Sequence, residues 1–211
     1  MATFIQLPIE EFHRKLSSNS PGPGGGSVAA LSGALAAGLI SKVCNLSIDK
    51  EGFETFHDQL TDALQKAEFF SKSLLKRVDL DSQAFGEVMD ALMMPEEPEE
   101  AGRARQEAIQ AGYRKALESA LAIARECLGV LGLAEALLGR SNANALSELA
   151  VASLQAYAGL EGAIMSLEMN FPSLQDQKLV TSAASEGTAL LEKGSGTKNS
   201  VRRYVMEKIA A

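Results

Sequence analysis

Residues 21–45 read Pro-Gly-Pro-Gly-Gly-Gly-Ser-Val-Ala-Ala-Leu-Ser-Gly-Ala-Leu-Ala-Ala-Gly-Leu-Ile-Ser-Lys-Val-Cys-Asn. Their two halves have opposite characters. The first is a break, since Ser18–Gly26 holds two prolines and four glycines in nine residues. The second is apolar and dominated by small side chains. Ala30, Ala34 and Gly38 recur every four positions, and Gly33 and Ala37 form a stripe beside them. Small residues on adjacent helical stripes let another backbone approach closely, so this segment is predicted to be the central helix of a bundle. Ser27 is placed to cap it.

The rest of the chain repeats the helical pattern on both sides. Upstream, Pro8 opens a helix that ends near Leu16. Downstream, Phe53, Phe56, Leu60, Leu64, Ala67, Phe70 and Leu74 keep the helical period to about Val78. Asp79 or Asp81 is placed to cap a further helix through Leu92, which the acidic proline loop Met94–Pro98 stops. A long helical region follows from Glu99 to about Leu138, then a polar break at Gly139–Asn144. Asn144 or Ser147 opens the next helix, to about Met169. Ser173 with Asp176 has capping-box spacing for another, ending near Lys193. Gly194-Ser195-Gly196 separates a short amphipathic C-terminal helix. No segment alternates as a strand does. The expectation is all-α: a multi-helix bundle of seven or eight helices, forming a single domain over residues 1–211.

Composition narrows the function classes. Apolar residues make up 46% and charged residues 22% of the chain, the balance of an ordinary globular protein. With aromatics at 5% and no Trp, a core of Ala, Leu, Val and Ile suits close-packed helices. A net charge of -7 argues against nucleic acid as the main partner, because counterion release needs clustered cations. Cys44 and Cys127 sit in apolar runs and read as buried thiols of a reducing compartment. No basic-then-apolar leader precedes Glu10 and Glu11, and the apolar stretch Val28–Ile40 is short for a bilayer. A cytoplasmic location without membrane or nucleic-acid partners is expected. His13 and His57 have no neighbours at metal-ligand spacing, so no metal is expected.

Two motifs carry chemistry. Three consecutive glycines, Gly24, Gly25 and Gly26, followed by Ser27, exceed what a helix entry needs in order to turn. Glycines let backbone N–H groups approach a ligand, and a helix start adds partial positive charge. The competing explanation is tight passage between two helices. The turn is neither a P-loop, lacking the Lys-Ser/Thr ending, nor a dinucleotide fingerprint, lacking a preceding strand. The second motif is Ser141-Asn142-Ala143-Asn144-Ala145-Leu146-Ser147-Glu148 at another helix start. Side-chain amides both donate and accept, which suits the mixed edge of a heterocycle such as a pterin; simple capping is the alternative.

The same blocks resemble the cyclodeaminase/cyclohydrolase family, which comprises the cyclodeaminase half of formiminotransferase-cyclodeaminase and stand-alone methenyltetrahydrofolate cyclohydrolases. The resemblance rests on Pro21–Leu31 with Gly33-Ala34-Leu35 and Asn45-Leu46-Ser47. It continues through Asp79-Leu80-Asp81, Ala84-Phe85 and Val88-Met89 before Pro95. The third block is Asn142–Glu148 with Val151-Ala152 and Asn170. It spans roughly residues 4–175. This chain departs from the usual pattern with Glu148 for an Asp, Ser141 for a Gly, Ser166 for an Asn and Ala120 for a Pro.

The resemblance implies an all-α homodimer with a folate pocket between helices and no cofactor beyond the tetrahydrofolate substrate itself. It also implies either hydrolysis of a methenyl bridge or cyclisation of a formimino group with loss of ammonia. Glu148 would act as general base or cation stabiliser, and Asp81 as a second carboxylate or a cap. Gly24, Gly25, Gly26, Ser27, Asn142, Asn144 and Ser147 would hold the ligand. The alternative is a helical protein that binds folate or another ligand without turnover, or a purely structural dimerisation module.

Overall fold

The computed structural model describes residues 3–210 and contains no strand among them. Six α-helices carry the fold: α1 (Ile9–Leu16), α2 (Gly25–Asn45), α3 (His57–Leu92), α4 (Glu99–Ala136), α5 (Leu146–Asn170) and α6 (Gln177–Ala210). Short 3-10 turns at Phe4–Gln6, Glu54–Phe56, Ala143–Ala145 and Phe171–Ser173 lead into or out of them.

Six helices replace the expected seven or eight because two expected breaks are continuous. Asp79 and Asp81 lie inside the 36-residue α3 and cap nothing on their own helix. Asp79 instead accepts a hydrogen bond from the N–H of Phe4 at 2.6 Å, tying down the N-terminal turn. Gly194-Ser195-Gly196 lies inside the 34-residue α6. A third expectation shifts by a few residues. α2 starts at Gly25 with Gly24 as its N-cap, so Ser27 is the third residue of the helix and its hydroxyl points elsewhere. The cap of α6 is Asp176, whose carboxylate accepts from the N–H of Leu179 at 3.1 Å.

α2 packs against α3, α5 and α4. It runs antiparallel to α5, with Gly25 beside Ser166 at one end and Lys42 beside Glu148 at the other. Small residues make this approach possible midway. A Cβ on Gly159 would stand 2.7 Å from the carbonyl oxygen of Ala29 and 3.1 Å from the backbone nitrogen of Gly33. On the far side of the crossing, Cys127 of α4 fills the space, and its thiol is pushed up to about 12 by burial. Around this seam Ile40, Leu60, Leu74, Ile123, Leu131, Leu149 and Leu160 are fully buried. Each such side chain contributes about 1.5–3 kcal/mol relative to exposure.

α2, 21 residues long with a mean hydropathy of 1.6 over its most apolar window, is longer than the stretch read from the sequence and could cross a membrane by length and composition. Here its buried side chains pack on three other helices.

α3 and α4 are antiparallel and longer than the pair they embrace. Past Asp81, α3 continues eleven residues to Leu92, or about 16 Å at 1.5 Å per residue. The overhang, which meets α4 where Gly112 lies against Val88 and Lys115 pairs with Glu87, makes one wall of a cleft at the start of α2.

Candidate functional site

The cleft of about 330 Å³ is formed where four helices meet. Its floor is the turn Pro21 and Gly24–Gly26. One wall is Asp81, Ser82, Phe85 and Val88 of α3, the second is Tyr113, Ala116 and Ala120 of α4, and the third is Ser166, Met169 and Asn170 of α5. The glycines divide by task. A Cβ on Gly26 would stand 2.1 Å from Asp81 Oδ1, and one on Gly22 would stand 2.1 Å from Ser82 Oγ. These two exist so that α3 can close on the turn. Gly24 and Gly25 meet nothing closer than 3.8 Å and leave backbone open to the cleft.

Asp81 reaches the first turn of α2, where backbone N–H groups have no helical partner. Its carboxyl accepts from the N–H of Ser27, and Asp81 Oδ2 lies 3.0 Å from Ser27 Oγ. Asp81 thus caps α2 rather than its own helix. Burial pushes the Asp81 carboxyl up from its ordinary value, outweighing the lowering effect of the hydrogen bonds from Ser27. The carboxyl is half-buried, lines the cleft and holds its proton more readily than a surface aspartate.

On the opposite wall the hydroxyl of Ser166 donates to the carbonyl of Gly162 at 3.0 Å, and Asn170 Nδ2 donates to the carbonyl of Ser166 at 3.0 Å. Those bonds leave the Ser166 oxygen and Asn170 Oδ1 with acceptor capacity. The cleft therefore offers donors at the α2 terminus, acceptors across from it and, between them, a carboxyl that burial inclines to keep its proton.

The Asn-rich motif is elsewhere. Asn142 caps the 3-10 turn before α5 by accepting from the N–H of Asn144 at 3.0 Å. Its own N–H donates to Ser47 Oγ, and its Nδ2 donates to the carbonyl of Leu46, at 2.9 and 3.1 Å. Glu148 Oε1 pairs with Lys42 Nζ at 2.8 Å, and Glu148 Oε2 accepts from Ser147 Oγ at 2.7 Å. The Lys42 ammonium first, then the Ser147 hydroxyl, hold the Glu148 carboxyl down at about 2. Glu148 is therefore ionised throughout the neutral range.

Within one chain the two motifs are not brought together. Gly25 and Lys42 stand at opposite ends of α2, about 25 Å apart along its axis. Gly24, Gly25, Gly26, Ser27 and Asp81 share one end; Asn142, Asn144, Ser147 and Glu148 share the other. Sequence reasoning missed Ser82, Phe85 and Tyr113 as cleft residues, and Lys42 as the partner of Glu148. Phe85 is 46% exposed and faces the cleft. Lys42 could have been found, being the sole cation between Gly25 and Asp49. Among the described residues no three His, Cys, Asp or Glu side chains cluster as metal ligands do.

Comparison with known proteins agrees with the fold and with the family resemblance. The chain is 35% identical over 201 residues to the methenyltetrahydrofolate cyclohydrolase of Methylorubrum extorquens, covering 95% of this chain and 97% of that one. It is 29% identical over 188 residues to the formimidoyltransferase-cyclodeaminase of Gallus gallus, spanning 89% of this chain but only 35% of that longer protein. A crystal structure of formiminotetrahydrofolate cyclodeaminase from Thermotoga maritima superposes with a TM-score of 0.88 at 20% identity, covering 97% of this chain and 98% of that one, and so shares the fold. Residues 8–189 match the family model for formiminotransferase-cyclodeaminase, and the chain belongs to that family.

Proposed function

We propose that this chain is a one-carbon folate enzyme that hydrolyses the methenyl bridge of methenyltetrahydrofolate. The observation that carries this is the match to a cyclohydrolase over nearly the whole length of both chains. The substrate carries a cationic amidinium carbon. Water adds there and loses a proton, giving a carbinolamine. One C–N bond then breaks as the departing ring nitrogen takes up a proton and the hydroxyl loses its own to water, giving the formyl product. Both steps need a group that accepts and returns a proton, plus negative charge near the cation. Asp81 suits the first task because burial favours its protonated form. Glu148 suits the second because it stays ionised. A carboxyl held at about 2 is a weak base, which assigns Glu148 to cation stabilisation rather than to general-base work.

A homodimer would bring the separated halves together. The outward faces of α2 and α5 carry exposed Leu35, Val151, Leu154 and Met165, apolar side chains of the kind that a partner surface covers. A two-fold axis perpendicular to the middle of α5 would lay the partner's α5 antiparallel along this one. The start of one copy's α5, with its Glu148 cluster, would then lie beside the other's Ser166, Asn170 and glycine turn.

The test is the absorbance of methenyltetrahydrofolate with and without purified protein, after subtraction of spontaneous hydrolysis. Accelerated decay is expected, and an unchanged rate would overturn the assignment. Cyclodeamination of formiminotetrahydrofolate is the second reading, favoured by the longer relatives, and ammonia release in the parallel assay selects it.

A further inference from the structure

Ser27 is completely buried, and its Oγ lies 3.0 Å from two oxygens at once, the carbonyl of Val78 and Oδ2 of Asp81. A serine hydroxyl has one hydrogen and two lone pairs. It can donate to only one of these oxygens at a time. The carbonyl can only accept, so the arrangement has two self-consistent states. With a neutral Asp81, Oδ2–H donates to Ser27 Oγ and Ser27 donates to Val78. With an ionised Asp81, the Ser27 hydrogen turns to Oδ2, and the helical carbonyl of Val78 keeps its own backbone donor. No atom needs to move further than a hydroxyl rotation, and no buried polar group is stranded in either state.

We propose that Ser27 is a positioning residue whose hydroxyl turns between the Val78 carbonyl and Asp81 Oδ2, so that Asp81 can give up and regain the proton that the reaction moves. The inference rests on the cleft being the reacting site. When the carbinolamine C–N bond breaks, the ring nitrogen takes the proton from Asp81, the carbinolamine hydroxyl releases its own proton to solvent water as the C=O forms, and the Ser27 hydroxyl turns toward the resulting carboxylate. The next water addition returns a proton to Asp81, and Ser27 turns back. Among the described residues of this chain, nothing else lining the cleft competes for this role. α2 and α5 present no titratable side chain there, and α4 presents only Tyr113. On α3, Asp79 is taken by Phe4.

Infrared difference spectra of the folate-free protein, titrated from acid to neutral pH, test this without turnover. The wild type should show a carboxylic-acid C=O band that Asp81→Asn removes and that persists above the pH, about 3.9, at which an ordinary aspartate loses its proton. Ser27→Ala should shift that band to the frequency of a carboxyl whose O–H has lost its acceptor, with circular dichroism unchanged. In turnover the same variant should lower kcat at least tenfold with KM little altered, and should move the pH profile. Absence of an Asp81-sensitive band above that pH overturns the proposal, as does a band unmoved by Ser27→Ala. A protein that shows the band and its shift but leaves methenyltetrahydrofolate untouched retains the Ser27–Asp81 switch and overturns the functional assignment instead.

Discussion

Gly24 and Gly26 are two residues apart and identical, yet their surroundings give them opposite tolerances. A Cβ at position 26 collides with the Asp81 carboxyl, whereas one at position 24 meets nothing within 4 Å and finds an ordinary φ of -121°. Gly26→Ala should displace Asp81, destabilise the fold by about 1–3 kcal/mol and abolish most activity. Gly24→Ala should leave the melting temperature within a degree or two and alter chiefly KM. Thermal melts with steady-state kinetics separate the two. Glu148 has a pH signature of its own. Its folded-state value, about 2, lies below the unfolded one, so the contribution of its ion pair is present above the ordinary carboxylate range and fades as pH falls toward 2. Denaturation midpoints of the wild type and Glu148→Gln should therefore differ at neutral pH and converge at low pH. Asp81 runs the other way. Its value is raised by folding, so the stability linked to it is present at low pH and lost as pH rises through its folded value, and Asp81→Asn should remove that part of the pH dependence.

At the scale of elements, the sequence pattern located each helix by its apolar period and its proline stops. Met94–Pro98 does separate α3 from α4, whereas the expected cap at Asn144 or Ser147 is not made: Asn142 caps the 3-10 turn, and α5 follows it at Leu146 with no side-chain cap of its own. The misreadings came from residues with a local meaning that tertiary packing overrides. Asp79–Asp81 looks like a helix start, but its carboxylates serve the N-terminal turn and α2, partners remote in sequence. Gly194-Ser195-Gly196 looks like a break. Gly194 is a glycine because Leu160 of α5 lies against it, at 2.2 Å from where a Cβ would be, while Gly196 faces open space. A continuous α6 makes a prediction that a broken one does not. Gly196→Ala should stabilise the protein by about 0.5–1 kcal/mol through helix propensity, and Gly194→Ala should destabilise it by about 1–3 kcal/mol. Urea denaturation of both variants checks this; a gain at both positions would mean the helix is not seated on α5 there. The site was legible in part for the same reason. The glycine turn and Asp81 carry signals in sequence, whereas Phe85, Tyr113 and Ser82 join the cleft only because α3 and α4 overhang it.

For the whole molecule, the separation of the glycine-turn end from the Glu148 end is the fact that any mechanism must accommodate. Either the Glu148 cluster is structural, or a second copy supplies it. An antiparallel pair of α5 helices satisfies the second option and covers exposed Leu35 and Leu154, which are 56% and 54% accessible. Leu154→Asp should yield a folded monomer by light scattering with little turnover. Complementation is more direct. Asp81→Asn and Glu148→Gln, each inactive alone, should regain activity when coexpressed, because a mixed dimer contains one site built from the two unaltered residues. With random pairing, about half the dimers are mixed and each carries one working site of two, giving about a quarter of wild-type turnover. Recovery near that level in the methenyltetrahydrofolate absorbance assay is the expected result. Mixed dimers that form but remain as inactive as either variant alone would contradict a shared site.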